Sequence, residues 1–261
     1  MRGYDSCLVA YSGGVDSVLL AVVAREVFGD RMLTAIADSP SLPRAELAEA
    51  RELARRFKFP LEILRTGEFG NEDYTSNPSN RCYFCKHELF THLEQLARER
   101  GLAVIAYGEN ASDLSDFRPG AQAAAEFSVR APLKEAGLSK DDIRRISRRL
   151  GLPTADKPQM PCLSSRIPHG EVVSPEKTLM IEQAEVILRE LGFSEVRVRH
   201  HEAGPVALIE VPAEVIGKLN GTETFDSVEA SLMAIGYARV MVDERGYRRG
   251  SLNIVAHASS S

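Results

Sequence analysis

The chain has 261 residues, with 32 Lys and Arg against 37 Asp and Glu and a formal charge of −5. Hydrophobic residues make up 44% and charged residues 26%, a balance that excludes a mainly disordered chain; at roughly 150 residues per domain it predicts one large domain or two small ones. The mild acidity argues against a general nucleic-acid binder, apolar runs such as Val18–Ala24 are too short to span a bilayer, and four cysteines are too few for a disulfide scaffold.

The opening Met1–Asp5 carries an acid and leads into a glycine loop, so no signal peptide is expected and a cytoplasmic location is. Ser6–Tyr11 reads as a buried strand and Val15–Phe28 as a helix closed by Gly29. Met32–Ala37 reads as a second strand, and Arg44–Phe57 as a helix with an apolar stripe of Leu47, Ala50, Leu53, Ala54 and Phe57. Leu61–Leu64 is a short third strand; Arg65–Asn80 is polar and aperiodic, as in a long surface loop. Phe84–Arg98 is helical and Ala103–Tyr107 is a fourth strand. This alternation predicts an α/β domain, a parallel sheet with helices on both faces and its ligand at the carboxyl ends of the strands.

Ser139 opens another helix, with Asp142 three residues on, which ends at Leu150 before Gly151. Leu152–Val173 is irregular and holds four prolines, and the domain boundary is drawn at its end, giving domains 1–173 and 174–261. The remainder predicts a small α+β unit. Ser174-Pro175 starts a helix to Leu191, Glu195–His200 and Val206–Val211 pair as strands, Val228–Ile235 is a helix, and Ala238–Val242 is a strand. The tail from Ala256 is expected to fray.

The segment Ser12-Gly13-Gly14-Val15-Asp16-Ser17 lies between the first strand and the first helix. Paired glycines allow backbone N–H groups to close around a phosphate, the helix end adds donors and a positive dipole end, and the two serines add hydroxyls. Asp16 adds like charge beside a phosphate, which makes sense if a divalent cation lies between them. The lysine of a P-loop and the spacing of the dinucleotide fingerprint are both absent. The segment resembles the loop of the ATP pyrophosphatases, the PP-loop superfamily. That resemblance implies that the loop grips the β- and γ-phosphates of ATP, so that AMP passes to a carboxylate or carbonyl oxygen and pyrophosphate leaves. Asp38 and Ser39, after the second strand, would then border adenosine. Asn110 and Asp113, with Asp116 and Arg118, follow the fourth strand, where carboxylates can hold Mg2+ on pyrophosphate and Arg118 can neutralise charge. A polar turn with helix-capping aspartates is the alternative explanation for any one of them.

Cys7 falls inside the first strand as a small buried hydrophobe. Cys82 and Cys85 form a C-x-x-C pair at a helix start, and Cys162 lies in the proline-bound segment Pro161–Ile167. Arg81, Lys86 and Arg166 beside them favour thiolate. Three arrangements fit: a [4Fe-4S] cluster with one open iron for exogenous sulfide, a zinc site with a fourth ligand such as His87, or Cys162 alone as nucleophile and sulfur donor.

Taken together, Ser12–Ser17, Ala37–Pro40, Asn110–Gly120, Pro161–Ile167, Val196–Arg199 and Gly246–Asn253 resemble the LarE family, the sulfur-inserting branch that serves the nickel-pincer nucleotide cofactor of lactate racemase. The resemblance spans nearly the whole chain. It implies that ATP adenylates the carboxylates of pyridinium-3,5-biscarboxylic acid mononucleotide and that sulfur then replaces AMP. In the sacrificial form of the family, the cysteine matching Cys162 gives up its own sulfur and becomes dehydroalanine. In the three-cysteine branch, Cys82, Cys85 and Cys162 hold a [4Fe-4S] cluster that carries the sulfide. Arg166 and Ser165 would orient substrate or sulfur. Arg197 and Arg199 lie at i and i+2 of a strand, so that both point to one face, and they match the family's substrate-phosphate arginines. Glu210 is a weaker metal-ligand candidate that is also explained as a solvated carboxylate; His200 and His201 have no spacing that demands a role. The resemblance further implies a sulfide source and a homo-oligomer, a hexamer, as partners, with no nucleic acid and no membrane. Rival readings are a tRNA thiolase of the same superfamily and a non-catalytic nucleotide sensor.

Overall fold

A computed structural model of the chain describes residues 1, 3–115, 119–201 and 205–248. The chain gathers into two compact units: Met1–Glu68 with Asn80–Pro161, and Phe69–Ser79 with the chain from Cys162 onward.

The first unit holds strands β1 (Cys7–Ala10), β2 (Met32–Asp38), β3 (Leu61–Arg65) and β4 (Val104–Tyr107), all parallel in the order β3-β2-β1-β4. Its helices are α1 (Val15–Phe28), α2 (Arg44–Arg56), α3 (Arg81–Arg100), α4 (Pro119–Glu126) and α5 (Lys140–Arg149). β1 is buried along its whole length because both faces of the sheet are covered, which is why it reads as an unbroken apolar run. Cys7 and Val9 face one core with Leu19 and Leu20 of α1 and Leu47 and Ala50 of α2. Leu8 and Ala10 face the other, with Phe90, Leu93, Leu96 and Ala97 of α3 and Ala123 and Ala124 of α4. This two-residue alternation between cores is the sheet period itself. Burial pushes the Cys7 thiol up to about 12, so Cys7 is packing and not chemistry. The predicted capping box is present: Asp142 N–H donates to Ser139 Oγ at 3.2 Å, and Ser139 N–H to Asp142 Oδ2 at 3.1 Å.

The second unit holds β5 (Arg197–His201), β6 (Val206–Glu210) and β7 (Arg239–Val242) in the order β5-β6-β7, the first pair antiparallel and the second parallel. Helices α6 (Pro175–Glu190) and α7 (Thr222–Ile235) cover it, with Ala184, Leu188, Val228 and Leu232 packed onto Val198, Ala207 and Ile209. Ser174 caps α6 as its sequence position predicts, accepting from Lys177 N–H at 3.3 Å.

Two expectations are revised. The segment 65–80 is not simply a surface loop, because its larger part, Phe69–Ser79, groups with the second unit. Tyr74 is buried with its hydroxyl 2.8 Å from Ser164 Oγ. Asn77, also buried, donates from Nδ2 to the carbonyls of Ile167 at 3.2 Å and Pro168 at 2.6 Å. These long-range bonds leave no local periodicity in the sequence. For the same reason the stretch Cys162–Val173 groups with the second unit, whereas the sequence boundary falls after it, at Val173. Among the described residues, no helix is long and apolar enough to cross a membrane.

Candidate functional site

In the first unit, β1 is followed by Tyr11, whose hydroxyl donates to the carbonyl of Ala50 at 3.2 Å. The chain then turns through Gly13, which has φ of 72° and packs so closely on α2 that an added Cβ would lie 3.2 Å from Ala50 Cβ. Gly14 is the N-cap of α1 and supplies no side-chain cap, so the first-turn amides keep their donor capacity for a ligand. Ser17 Oγ folds back to donate to Gly14 O at 3.1 Å and accepts from Ser12 N–H at 3.2 Å, and the hydroxyls of Ser12 and Ser17 lie 3.1 Å apart. Val15 is buried and anchors the helix start.

Both β2 and β4 pair with β1 in parallel, so their carboxyl ends lie at the same end of the sheet as this loop. Gly108, one residue past β4, passes so close to α1 that an added Cβ would lie 3.0 Å from Ser17 N and 3.1 Å from Asp16 Cβ. Asn110 is buried and donates from Nδ2 to Asp16 Oδ1 at 3.2 Å. Asp113 accepts the Asn110 backbone N–H at 3.1 Å, and Ser112 N–H donates to Asn110 Oδ1 at 3.0 Å. After β2, Asp38 is paired with Arg44 at 2.5 Å, and Ser39 is buried with its hydroxyl 2.8 Å from that of Ser41. The structure therefore gathers Ser12 to Ser17 and Asn110 around one helix end, with Asp113 braced behind Asn110. Asp116 and Arg118 lie outside the described residues. One neighbour was not anticipated: Lys140, the first residue of α5, holds its Nζ 2.5 Å from Asp16 Oδ2. The capping box located that helix start in the sequence, but the partner lies 124 residues away.

In the second unit, Cys162 precedes a tight helical turn, Leu163–Arg166. Its carbonyl accepts from Ser165 N–H at 2.9 Å, Ser165 Oγ at 2.6 Å and Arg166 NH1 at 2.9 Å. Arg166 is fully buried and pairs with Glu185 of α6 at 2.9 Å, and Glu185 also takes Arg189 at 2.6 Å. Burial alone would raise the Glu185 carboxyl, but the charge and hydrogen bonds of Arg166, helped by Arg189 and Arg197, outweigh it and hold Glu185 below the usual carboxylate range. Arg199 donates to Glu210 from Nε at 3.0 Å and to the carbonyl of Ser165 from NH1 at 2.9 Å. Arg197 is also buried, donates to Val196 O at 2.7 Å, and lies over the Tyr247 ring at 5.5 Å. Burial first, and then the nearby Arg166, lower its guanidinium.

Cys162, Ser165, Arg166, Arg197, Arg199 and Glu210 thus share one hydrogen-bonded region, in which three buried arginines face two buried glutamates. A net positive charge in a desolvated place is the chemistry of an anion site. Glu210 is not a solvated carboxylate; it is buried against Arg199. Arg197 and Arg199 are buried as well and do not form an exposed strand face. His200 is buried beside Tyr237 at 3.4 Å, and His201 lies 3.7 Å from Glu171. The residue missed here is Glu185. It lies with Ile181, Ala184 and Leu188 on the buried stripe of α6, and an acid on an apolar stripe is a readable sign of a buried cation.

All four cysteines are thiols. Cys82 is exposed and Cys85 half-buried, near the start of α3 and three residues apart, therefore on one face of it. The pair belongs to the first unit, and Cys162 opens the second segment of the other. Within each unit, the described residues gather no set of three or more His, Cys, Asp or Glu side chains positioned to hold a metal ion.

No family model matches the chain. It is 31% identical over 254 residues to the pyridinium-3,5-bisthiocarboxylic acid mononucleotide synthase of Lactiplantibacillus plantarum, an alignment covering 97% of this chain and 91% of that one. It is 44% identical over 251 residues to an uncharacterized protein of Synechocystis, covering 96% of this chain and 93% of the other. A glutamine-hydrolysing GMP synthase of Thermomicrobium roseum is 30% identical over 213 residues, which cover 72% of this chain but 40% of that enzyme.

Proposed function

Because the chain belongs to the LarE family of ATP-dependent sulfur-inserting enzymes within the PP-loop superfamily, we propose that it converts the carboxylates of pyridinium-3,5-biscarboxylic acid mononucleotide into thiocarboxylates. The observation that carries this reading is the match to the synthase, which runs the length of both chains. The site geometry supports it. An open helix end with a glycine turn suits the triphosphate of ATP; Asp16, with Asn110 and Asp113 beside it, would hold Mg2+, and Asp38 and Ser39 would border the nucleoside. The buried arginines suit the substrate phosphate, Arg197 and Arg199 gripping it while Arg166 orients the sulfur at Cys162.

A substrate carboxylate oxygen attacks the α-phosphorus, pyrophosphate leaves, and the acyl adenylate is then open to a sulfur nucleophile. Cys82, Cys85 and Cys162 would hold a [4Fe-4S] cluster; as accessible thiols they fit such a donor set. When bound, that cluster would supply a sulfide from its fourth iron. The chain's own residues set the backbone that carries the sulfur: Glu185 fixes Arg166, and Arg166 with Ser165 fixes the backbone at Cys162. A sulfide source and assembly as a homo-oligomer belong to the same reading. The second reading is sacrificial donation by Cys162, supported by the three hydrogen bonds to its carbonyl that hold its backbone in place.

The test is made on protein purified without oxygen. Iron, zinc and acid-labile sulfide are counted per chain, and pyrophosphate release is followed with and without the mononucleotide. Roughly four irons with sulfide, lost in Cys82→Ala, support cluster-borne sulfur. No metal, with one sulfur lost per turnover and dehydroalanine at Cys162, replaces it with sacrificial donation. Pyrophosphate release that ignores the mononucleotide and needs tRNA would sink both.

A further inference from the structure

The parallel sheet of the first unit has a second end, opposite the glycine loop, where β2, β3 and β4 begin. A cavity of about 610 Å³ opens there, lined by residues from the carboxyl ends of α1, α2 and α3. Buried Met32, Ala54 and Phe59 give it an apolar lining. Four cations, Arg25, Arg55, Lys58 and Arg100, also line it, against one carboxylate, Asp30. A volume of this size suits a small organic molecule.

The three arginines are accounted for without a ligand. Each stands in the last turn of its helix, where a cation answers the negative end of the dipole. Each also has a partner: Arg25 lies 2.8 Å from Asp30, Arg55 2.6 Å from Glu52, and Arg100 2.9 Å from Glu62. Lys58 is different. It lies beyond the last turn of α2, and its ammonium has no hydrogen bond or ion pair among the described residues. Its backbone sits at φ of 57°, in the left-handed region that favours glycine. The neighbouring helices α1, α3 and α5 are closed by Gly29, Gly101 and Gly151, at φ of 58°, 63° and 65°. Only the lysine carries a side chain into that conformation among these four helix ends, and a strained residue kept where glycine fits freely points to a use for its side chain.

We propose that this cavity is a second ligand site, which takes a small organic anion: an apolar body against Met32, Ala54 and Phe59, and a carboxylate or sulfonate group met by Lys58. The apolar lining disfavours a bare inorganic ion, and the surplus of positive charge disfavours a neutral molecule. Arg55 and Arg100 can add to the grip, because their side chains are 78% and 58% exposed and pairs this open hold their partners weakly. The flexible stem of Lys58 lets its ammonium follow the anion while the backbone stays fixed. The site lies at the far end of the sheet from the glycine loop and stands independently of the ATP reading.

The test titrates anilinonaphthalene sulfonate, an apolar body with one sulfonate, into the full chain and follows its fluorescence, with and without magnesium ATP and at low and high salt. Wild type is expected to bind one probe per chain, more weakly at high salt and equally well with ATP present, and the amide resonances of Met32, Leu33 and Phe59 are expected to shift. Lys58→Gly is expected to hold or raise the urea midpoint, because glycine suits the left-handed backbone. The same variant is expected to weaken the probe roughly 2- to 5-fold, the factor for one exposed charge contact. Lys58→Asp, which reverses the charge, is expected to weaken it further. A folded wild type that binds no probe overturns the proposal, and so does a probe that ATP displaces or one that leaves those three amides unmoved. Unchanged affinity in both variants overturns the role of Lys58 and the anion site with it. A lower urea midpoint in Lys58→Gly would give the lysine a packing role and remove the reason to assign it a ligand.

Discussion

On the proposed reading the glycine loop offers an anion the backbone amides at the start of α1, and the charges beside them, Asp16 and Lys140, stay partly open to water. In the arginine cluster the donors are side chains, and its central pair, Arg166 and Glu185, is 0% and 1% exposed. Helix-end amides come with the fold and need no desolvated charge. Buried guanidiniums have already lost their water, so each needs a carboxylate whether or not a ligand is bound. The comparison teaches that function and stability are separable in the first site and coupled in the second.

The largest expected effect tests the coupled side. Glu185→Ala leaves Arg166 buried without its main partner and is expected to cost about 3–5 kcal/mol, read from urea unfolding. A change under about 1 kcal/mol would mean that the cluster is solvated and the contrast false. Acid offers a gentler version. The Glu185 carboxyl lies below its unfolded value, so the stability it contributes is complete above the ordinary glutamate range near 4.5 and is lost as pH falls through the lower folded value. Wild type is expected to lose stability below about pH 4.5 more steeply than Glu185→Gln. Parallel curves would remove Glu185 from the account.

The next effect probes where the open site is tight. Gly108→Ala would push a methyl to 3.0 Å from Ser17 N and 3.1 Å from Asp16 Cβ, into backbone that cannot easily yield. About 1–3 kcal/mol of stability is expected to go, along with ATP affinity, because the displaced atoms are those of the loop. Loss of stability with full ATP affinity would show that the loop is not the nucleotide site.

These two regions were unequally legible. The glycine loop could be read because its signal is local: six consecutive residues between an apolar strand and an amphipathic helix. The parallel sheet, the capped start of α5 and the burial of Cys7 were legible for the same reason. The sequence also paired Arg197 with Arg199, since a strand's period sets them on one face. It did not disclose that Glu185 and Glu210 neutralise the cluster, or that Phe69–Ser79 packs with Cys162–Val173, because those contacts join residues far apart in the chain. Lys140 was hidden in the same way, its helix start visible and its partner not.

The smallest expected effect on stability carries the most weight for the comparison. Asp16→Asn keeps the shape of the side chain and its acceptor toward Asn110, and removes the charge that Lys140 faces. A part-buried pair of this kind contributes on the order of 1 kcal/mol, so the urea midpoint should move little. Pyrophosphate release should nevertheless fall by roughly 10²-fold or more, because the amide cannot face a divalent cation as a carboxylate does and the preorganised charge is lost. Activity lost at nearly constant stability is the signature of a site whose anion donors are backbone and whose side-chain charges serve only the ligand. If Asp16→Asn instead unfolds the protein as readily as Glu185→Ala, the glycine loop depends on its charges as the arginine cluster does. If release continues at the wild-type rate, Asp16 does not attend the phosphates, and the loop is a tight turn between a strand and a helix.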